Sequence, residues 1–376
     1  MRLSYSASRN IILALSFVGL IIFYVGMRAS SLPASYLSLL IVPIGFVFFV
    51  TLIEGKQIKK NEASFLAFFL ILLLATGAFV YTPSGVSLST GGIAASLVIV
   101  SAYLMARALI SHNLAYHFSA AAFWVVAVPV LWIIVKEQTP LALRQFFVSS
   151  SENAVSAWLI FTSAAMAVVK YNDKREYSFI PLLISFIVAY FLYTRASIVV
   201  AFLSIALMAY ARFGLARSIL FTLIIGGIVG SVGMGIYLDA LEQTKFGTRG
   251  FDSPRWVIWL SYLRDLTGVS LIIGNEVSHI PEIHAFSDNP HSSLIRFHSF
   301  FGIIPLFIGI CFIFILLKRA RIFFFFMFFI ILLRASTDTL LFGLFYDIFL
   351  MITLVIAFQR SNARLRKDGI HDISYD

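Results

Sequence analysis

Apolar runs about as long as a bilayer is thick recur from one end of the chain to the other, and no other feature narrows the fold as far. At 1.5 Å per residue, a helix needs about 20 mostly apolar residues to cross a hydrocarbon core of roughly 30 Å. Lipid cannot satisfy backbone N–H and C=O groups, so such runs must form helices that pair those groups internally. The expected spans are 10–27, 34–53, 63–81, 91–110, 119–135, 153–170, 177–193, 196–212, 217–238, 290–317, 320–334 and 338–358. Twelve crossings make an all-α polytopic membrane protein, one integral domain over 1–376, with a single long outer loop at 239–289. The chain is 60% hydrophobic and only 12% charged, which excludes an ordinary soluble domain, where about 25% of residues are charged.

An even number of crossings puts both termini on one side. Eighteen of the 28 Lys and Arg, including Lys59, Lys60, Lys174, Arg175, Lys318, Arg319 and Arg321, fall in loops of that side, which marks it as cytoplasmic. The net charge of +10 is then an orientation signal with some attraction to anionic headgroups, and nucleic acid is not an expected partner. No clear cleavage site follows the first span, which reads as a retained anchor. The single Cys311 excludes internal disulfides and a cysteine metal cluster. No HExxH or comparable ligand spacing occurs, so neither a metal nor any other cofactor is expected.

The other ten cations, 28 minus 18, lie on the outer side, where arginine dominates. Its rigid, permanently charged fork suits phosphate better than a flexible ammonium does. The run around "YTRAS" is too long and too apolar for one helix, so it must be a hairpin whose turn holds Arg195 slightly below the outer surface. An arginine at that depth needs a partner; a lipid-linked phosphate is one, and snorkelling or a neighbouring carboxylate are the bland alternatives.

The stretch "FDSPRWVIWLSYLRDLTG" offers Ser253 as an N-cap and Pro254 as the first helical residue. Trp256, Trp259, Leu260 and Leu263 then share one face, the pattern of a helix lying in the outer interface, with Arg255 at the depth of lipid phosphates. In "DNPHSSLIRFHSFFGI", Asn289 and Pro290 read as cap and first residue of the tenth span, with His291 in its first turn. The helix dipole there disfavours a protonated imidazole. Ser292, Arg296 and His298 should project above the leaflet beside it. An imidazole that takes a hydroxyl proton, beside guanidiniums that stabilise a departing diphosphate, suits attack on a phosphate-activated sugar. Arg334 and Asp338 in "RASTD" form an i, i+4 pair, best read as a structural ion pair.

In order and spacing, "YTRAS", then "RWVIW" followed by "IIGN", then "PHSSLIRFHSFFGI", look like the O-antigen ligase and polymerase superfamily, over roughly residues 190–358. The resemblance implies a metal-independent glycosyltransferase of the GT-C type, with about twelve helices, acting on undecaprenyl-diphosphate-linked glycan at the periplasmic face of the bacterial inner membrane. By this resemblance Arg195 and Arg255 hold the donor diphosphate and His291 activates the acceptor hydroxyl, with Arg249, Arg296, His298 and Ser292 as substrate-binding neighbours. Ser292 departs from the family, which usually has Asn there. The expected function is polymerisation of oligosaccharide repeat units in lipopolysaccharide biosynthesis, because the chain is compact. The alternatives are a ligase that moves finished polysaccharide to lipid A–core, and a lipid-linked sugar flippase. Besides membrane lipids, the expected partners are the lipid-linked glycan and a co-polymerase that regulates chain length.

Overall fold

The computed structural model describes residues 5–29, 34–55, 58, 60–137, 145–147, 151–173, 178–192, 194–220, 223–224, 227, 254–318 and 322–367. The chain forms α1 (Tyr5–Ala29), α2 (Ala34–Ser38), α3 (Ile41–Glu54), α4 (Lys60–Gly77), the hairpin β1 (Phe79–Thr82) and β2 (Gly85–Leu88), α5 (Thr90–Ser111), α6 (Ala115–Glu137) and α7 (Glu152–Asp173). It continues with α8 (Ile180–Phe191), α9 (Arg195–Phe213), α10 (Pro254–Asp265), α11 (Gly268–Ile273), α12 (Pro281–His284), α13 (Ser293–Phe301), α14 (Ile303–Lys318), α15 (Ile322–Ser336) and α16 (Asp347–Lys367).

Six helical stretches among the described residues are long and apolar enough to cross a membrane: Tyr5–Gly26, Tyr36–Glu54, Thr90–Ser111, Ala115–Glu137, Glu152–Asp173 and Arg195–Phe213. Four further apolar helices, Glu62–Gly77, Ile180–Phe191, Ile322–Ser336 and Asp347–Gln359, are shorter. The all-α membrane architecture therefore stands, with six of the helices among the described residues long and apolar enough to cross by themselves. Most of the expected ninth span, and the first part of the expected outer loop, lie outside those residues.

Three expected boundaries shift, each for a local cause. The run 63–81 stops being helical at Gly77, which packs against the Phe301 ring, and its end becomes β1, held by its antiparallel pairing with β2. The run 290–317 is not one helix: Gly302, at φ +69, splits it into α13 and α14. The run 338–358 becomes helical only at Asp347, whose carboxylate accepts the backbone N–H groups of Phe342, Gly343 and Leu344 and so holds 337–346 as a folded loop.

The bundle centres on α7, in which every residue from Val155 to Val169 is buried. Its Ala and Ser residues let neighbours approach closely, as lipid-embedded helices require when no hydrophobic effect drives them together. Trp158 anchors it, stacked on Phe23 and Phe345 and edge-on to Tyr346, with its indole N–H donating to the Ala122 carbonyl at 2.6 Å. Outward-facing Phe46, Ile71, Trp132 and Phe307 leave an apolar surface suited to acyl chains.

One end of the bundle gathers the turns that matter below. The α8–α9 turn, the start of α7, the α15–α16 loop and the segment 254–301 all meet there, joined by the hydrogen bonds described next. The far end carries a different polar group, the Arg107–Glu62 pair at 2.9 Å.

Candidate functional site

The α8–α9 hairpin forms as its sequence requires, with Arg195 half-buried at the first position of α9. Two residues on, the Ser197 hydroxyl is wholly buried and accepts the Arg334 Nε–H at 2.8 Å. Arg334 comes from the last turn of α15 and is completely buried. Its remaining donors reach the Asn153 carbonyl at the start of α7 (2.8 Å) and the Thr337 hydroxyl (3.2 Å). A planar fork with several fixed N–H directions can join three helices in this way; a point charge cannot.

Arg334 also lies 3.9 Å from Asp338, in the loop that follows its helix. Asp338 is the meeting point of the site. Arg255 Nη2 approaches its Oδ2 at 3.8 Å, and His291 Nδ1 approaches its Oδ1 at 3.7 Å. The Thr339 N–H donates to Oδ1 at 2.9 Å. Burial alone would raise the Asp338 carboxyl, but the imidazole of His291, the guanidiniums of Arg334 and Arg255 and the Thr339 N–H outweigh it and hold the group below the usual carboxylate range. Thr339 N–H is a true hydrogen-bond donor here, whereas the two guanidiniums and the His291 imidazole stand beyond hydrogen-bond length.

Each partner arrives for a reason visible in the chain. Arg255 lies one turn before Trp259 on α10, and Trp259 donates its indole N–H to the Pro290 carbonyl at 3.2 Å, docking that face of the helix against the turn bearing His291. Beside Trp259, Ile258 and Tyr262 are buried against Ile280 and Ile283, while Trp256, Leu260 and Leu263 remain exposed. That exposed stripe agrees with a helix lying in the interface, and helix formation from Pro254 is as expected; Ser253, the expected cap, lies outside the described residues.

His291 is not in the first turn of a helix. Its φ is +48, and Ser292, not Asn289, caps α13, its hydroxyl accepting from Ile295 N–H at 3.4 Å. Asn289 takes another role, its Oδ1 accepting both the His291 N–H (2.9 Å) and the Thr339 hydroxyl (2.6 Å). The helix-dipole argument for the imidazole therefore fails, and the Asp338 carboxylate is the charge it meets. Ser293 completes the join: its hydroxyl donates to the Asp338 carbonyl and accepts from the Leu340 and Leu341 N–H groups.

The remaining expected site residues separate from this cluster. Arg249 lies outside the described residues. Arg296 donates from Nε to the Phe342 carbonyl at 3.2 Å and covers the Phe300 ring, so it ties α13 to the α15–α16 loop. Buried His298 bridges two other elements, through Tyr262 (Nδ1, 2.7 Å) and the Leu271 carbonyl (Nε2, 3.1 Å). Burial lowers its pKa against the opposing pull of the Leu271 carbonyl, so the ring is neutral, with Nε2–H donating and Nδ1 accepting from the phenol. Ser292 is used by the helix cap.

Asp338 was legible in the sequence only as the i, i+4 partner of Arg334. Nothing in its spacing announces Arg255 and His291, which stand 83 and 47 positions earlier in numbering. No family model, curated protein or solved structure matches this chain.

Proposed function

We propose that this chain is a metal-independent membrane glycosyltransferase of the O-antigen polymerase kind, joining undecaprenyl-diphosphate-linked oligosaccharide repeat units at the periplasmic face of the bacterial inner membrane. The observation that carries the reading is the meeting of Arg255, Arg334 and His291 around one carboxylate, with Arg195 two residues from a serine that binds Arg334. Arginines from three separate segments collected at a single end of a lipid-embedded bundle suit an anionic lipid headgroup, and an adjacent imidazole suits proton transfer.

In this reading Arg195 and Arg255 bind the donor diphosphate. With Nδ1 turned toward Asp338, His291 offers Nε2 to the acceptor hydroxyl. Its oxygen attacks the anomeric carbon of the donor sugar as the proton moves to Nε2. The bond from that carbon to the phosphate oxygen breaks, and undecaprenyl diphosphate leaves with the electron pair, its negative charge stabilised by the guanidiniums. Buried Arg334 positions the cluster rather than touching substrate.

The test is reconstitution of the purified full chain in proteoliposomes with a lipid-linked repeat unit isolated from the native host. Growth of glycan ladders, and their loss in Arg195→Ala, Arg255→Ala and His291→Ala, are the expected results. Transfer occurring only when lipid A–core is added would make the protein a ligase. Movement of lipid-linked sugar across the bilayer without new glycosidic bonds would make it a flippase and end the proposal. Added chelator is expected to change nothing.

A further inference from the structure

A cavity of about 300 Å³ lies between the β1–β2 hairpin, the start of α5, the segment 275–278 and the last turn of α13. None of Arg255, His291, Arg334 and Asp338 lines it. Its walls are held by backbone. Tyr81 N–H donates to the Gly274 carbonyl and Glu276 N–H to the Tyr81 carbonyl, so that 274–276 runs along β1. Gly274, at φ +98, allows this by letting its backbone press against the Ser299 carbonyl, where a Cβ would stand 2.5 Å away. Its volume is at the small end of preformed ligand pockets, which run from about 300 to 1,000 Å³.

The lining combines the carboxylates of Glu276 and Asp288, the hydroxyls of Ser87, Thr90 and Ser278, and the ring of Phe300. Among the described residues nothing hydrogen-bonds the Glu276 carboxylate or those three hydroxyls. Asn275, also in the wall, is wholly buried; its Nδ2–H donates to Asp265 at 2.8 Å, and its Oδ1 has no partner among the described residues. The amide cannot be turned over to relieve this, because its oxygen would then face the Asp265 carboxylate. That oxygen is sealed from the cavity as well as from solvent, so the carboxylate and hydroxyls of the lining are the groups open to a ligand.

The chemistry of the lining narrows what would occupy the cavity. Each hydroxyl of a sugar can donate to a carboxylate while accepting from a serine or threonine, and its C–H faces can lie against an aromatic ring. A phosphate or uronate would meet two carboxylates and no Lys or Arg. Among the described residues no group of three His, Cys, Asp or Glu side chains is placed to hold a cation. Asp288 also connects this pocket to the catalytic cluster, three residues before His291. Ser287, Asp288 and His291 all adopt positive φ (57, 58 and 48), a concentration of strained non-glycine backbone that is common at ligand sites.

The geometry points to a binding subsite for an uncharged sugar residue of the lipid-linked glycan, walled by the β1–β2 hairpin and the segment 275–288. Its place in glycan assembly rests on the glycosyltransferase reading; sugar binding itself does not. The experiment is saturation-transfer NMR on the full chain in detergent-free nanodiscs, with glucose, galactose, mannose, rhamnose and N-acetylglucosamine as probes and glucuronate as the anionic comparison. At least one neutral sugar is expected to receive saturation and glucuronate none. Glu276→Gln should weaken binding about tenfold, the loss of one charge-assisted hydrogen bond. Ser278→Ala is the second variant, should Glu276→Gln fail to fold. Arg255→Ala should retain sugar binding while losing polymer. The subsite is overturned if no neutral sugar binds, if glucuronate binds equally well, or if both cavity variants bind as the parent does. Loss of polymer in Arg255→Ala would then leave the transferase reading intact, whereas sugar binding with unaltered polymer in Arg255→Ala would retain the subsite and remove that reading.

Discussion

His291 Nδ1 stands 3.7 Å from Asp338 Oδ1, an oxygen already accepting the Thr339 N–H. The separation is an electrostatic contact, not a hydrogen bond, and it directs the far nitrogen of the ring away from the carboxylate. Asp338 thus serves two functions at once: it orients an imidazole and balances two guanidiniums.

Replacing Asp338 by Asn should reduce polymer formation about 100-fold, the scale of general-base catalysis lost when its orienting charge is removed. Ladder length and initial rate in proteoliposomes measure it.

The same carboxyl has a signature in acid. Because its folded pKa lies below the unfolded one, its contribution to stability is complete above about pH 4 and is lost as pH falls through the folded value. Thermal melts of the parent should drop more steeply below pH 4 than those of Asp338→Asn. Equal slopes would contradict the assignment.

Arg334→Lys should fold poorly, destabilised by about 3 kcal/mol, because one ammonium cannot satisfy Ser197, the Asn153 carbonyl and Thr337 together. Arg255→Lys, at a partly exposed position, should melt within about 0.5 kcal/mol of the parent yet make little polymer. Parallel melting and activity assays separate the two roles.

His298→Ala should lower stability by about 1–3 kcal/mol through loss of the α10–α13 and α11–α13 bridges, with a smaller effect on activity per folded molecule. Since burial keeps this imidazole neutral, the unfolded chain binds the extra proton first. Its contribution to stability should therefore decline as pH falls below about 6.5, a decline absent from the variant.

Gly302→Ala should not give a folded protein. At φ +69 a side chain is strained, and its Cβ would overlap the Ile272 carbonyl, forcing α11 away from α13. Yield of monodisperse protein after extraction is the measurement.

Much of this was legible beforehand. The apolar runs announced helices, the "TRAS" interruption announced the α8–α9 hairpin, and Pro254 with its tryptophans announced a helix with one exposed apolar face. These are local properties: a spacing, a cap or a break is expressed within a few residues of where it is written. The split at Gly302 was less legible, since only the approach of Ile272 makes that glycine indispensable.

Hydropathy and periodicity alone established that this chain is helical, that it belongs in lipid, and that Arg195, Arg255 and His291 deserved a functional question. They did not reveal that His291 leaves the helix for a left-handed turn, that Arg296 and His298 bond to the protein itself, or that Asp338 draws the cluster together. Those outcomes depend on contacts between segments far apart in the chain, where the energy of an arginine or histidine is set by whichever carbonyl or carboxylate the fold brings within reach. Periodicity carries no record of such meetings; packing creates them.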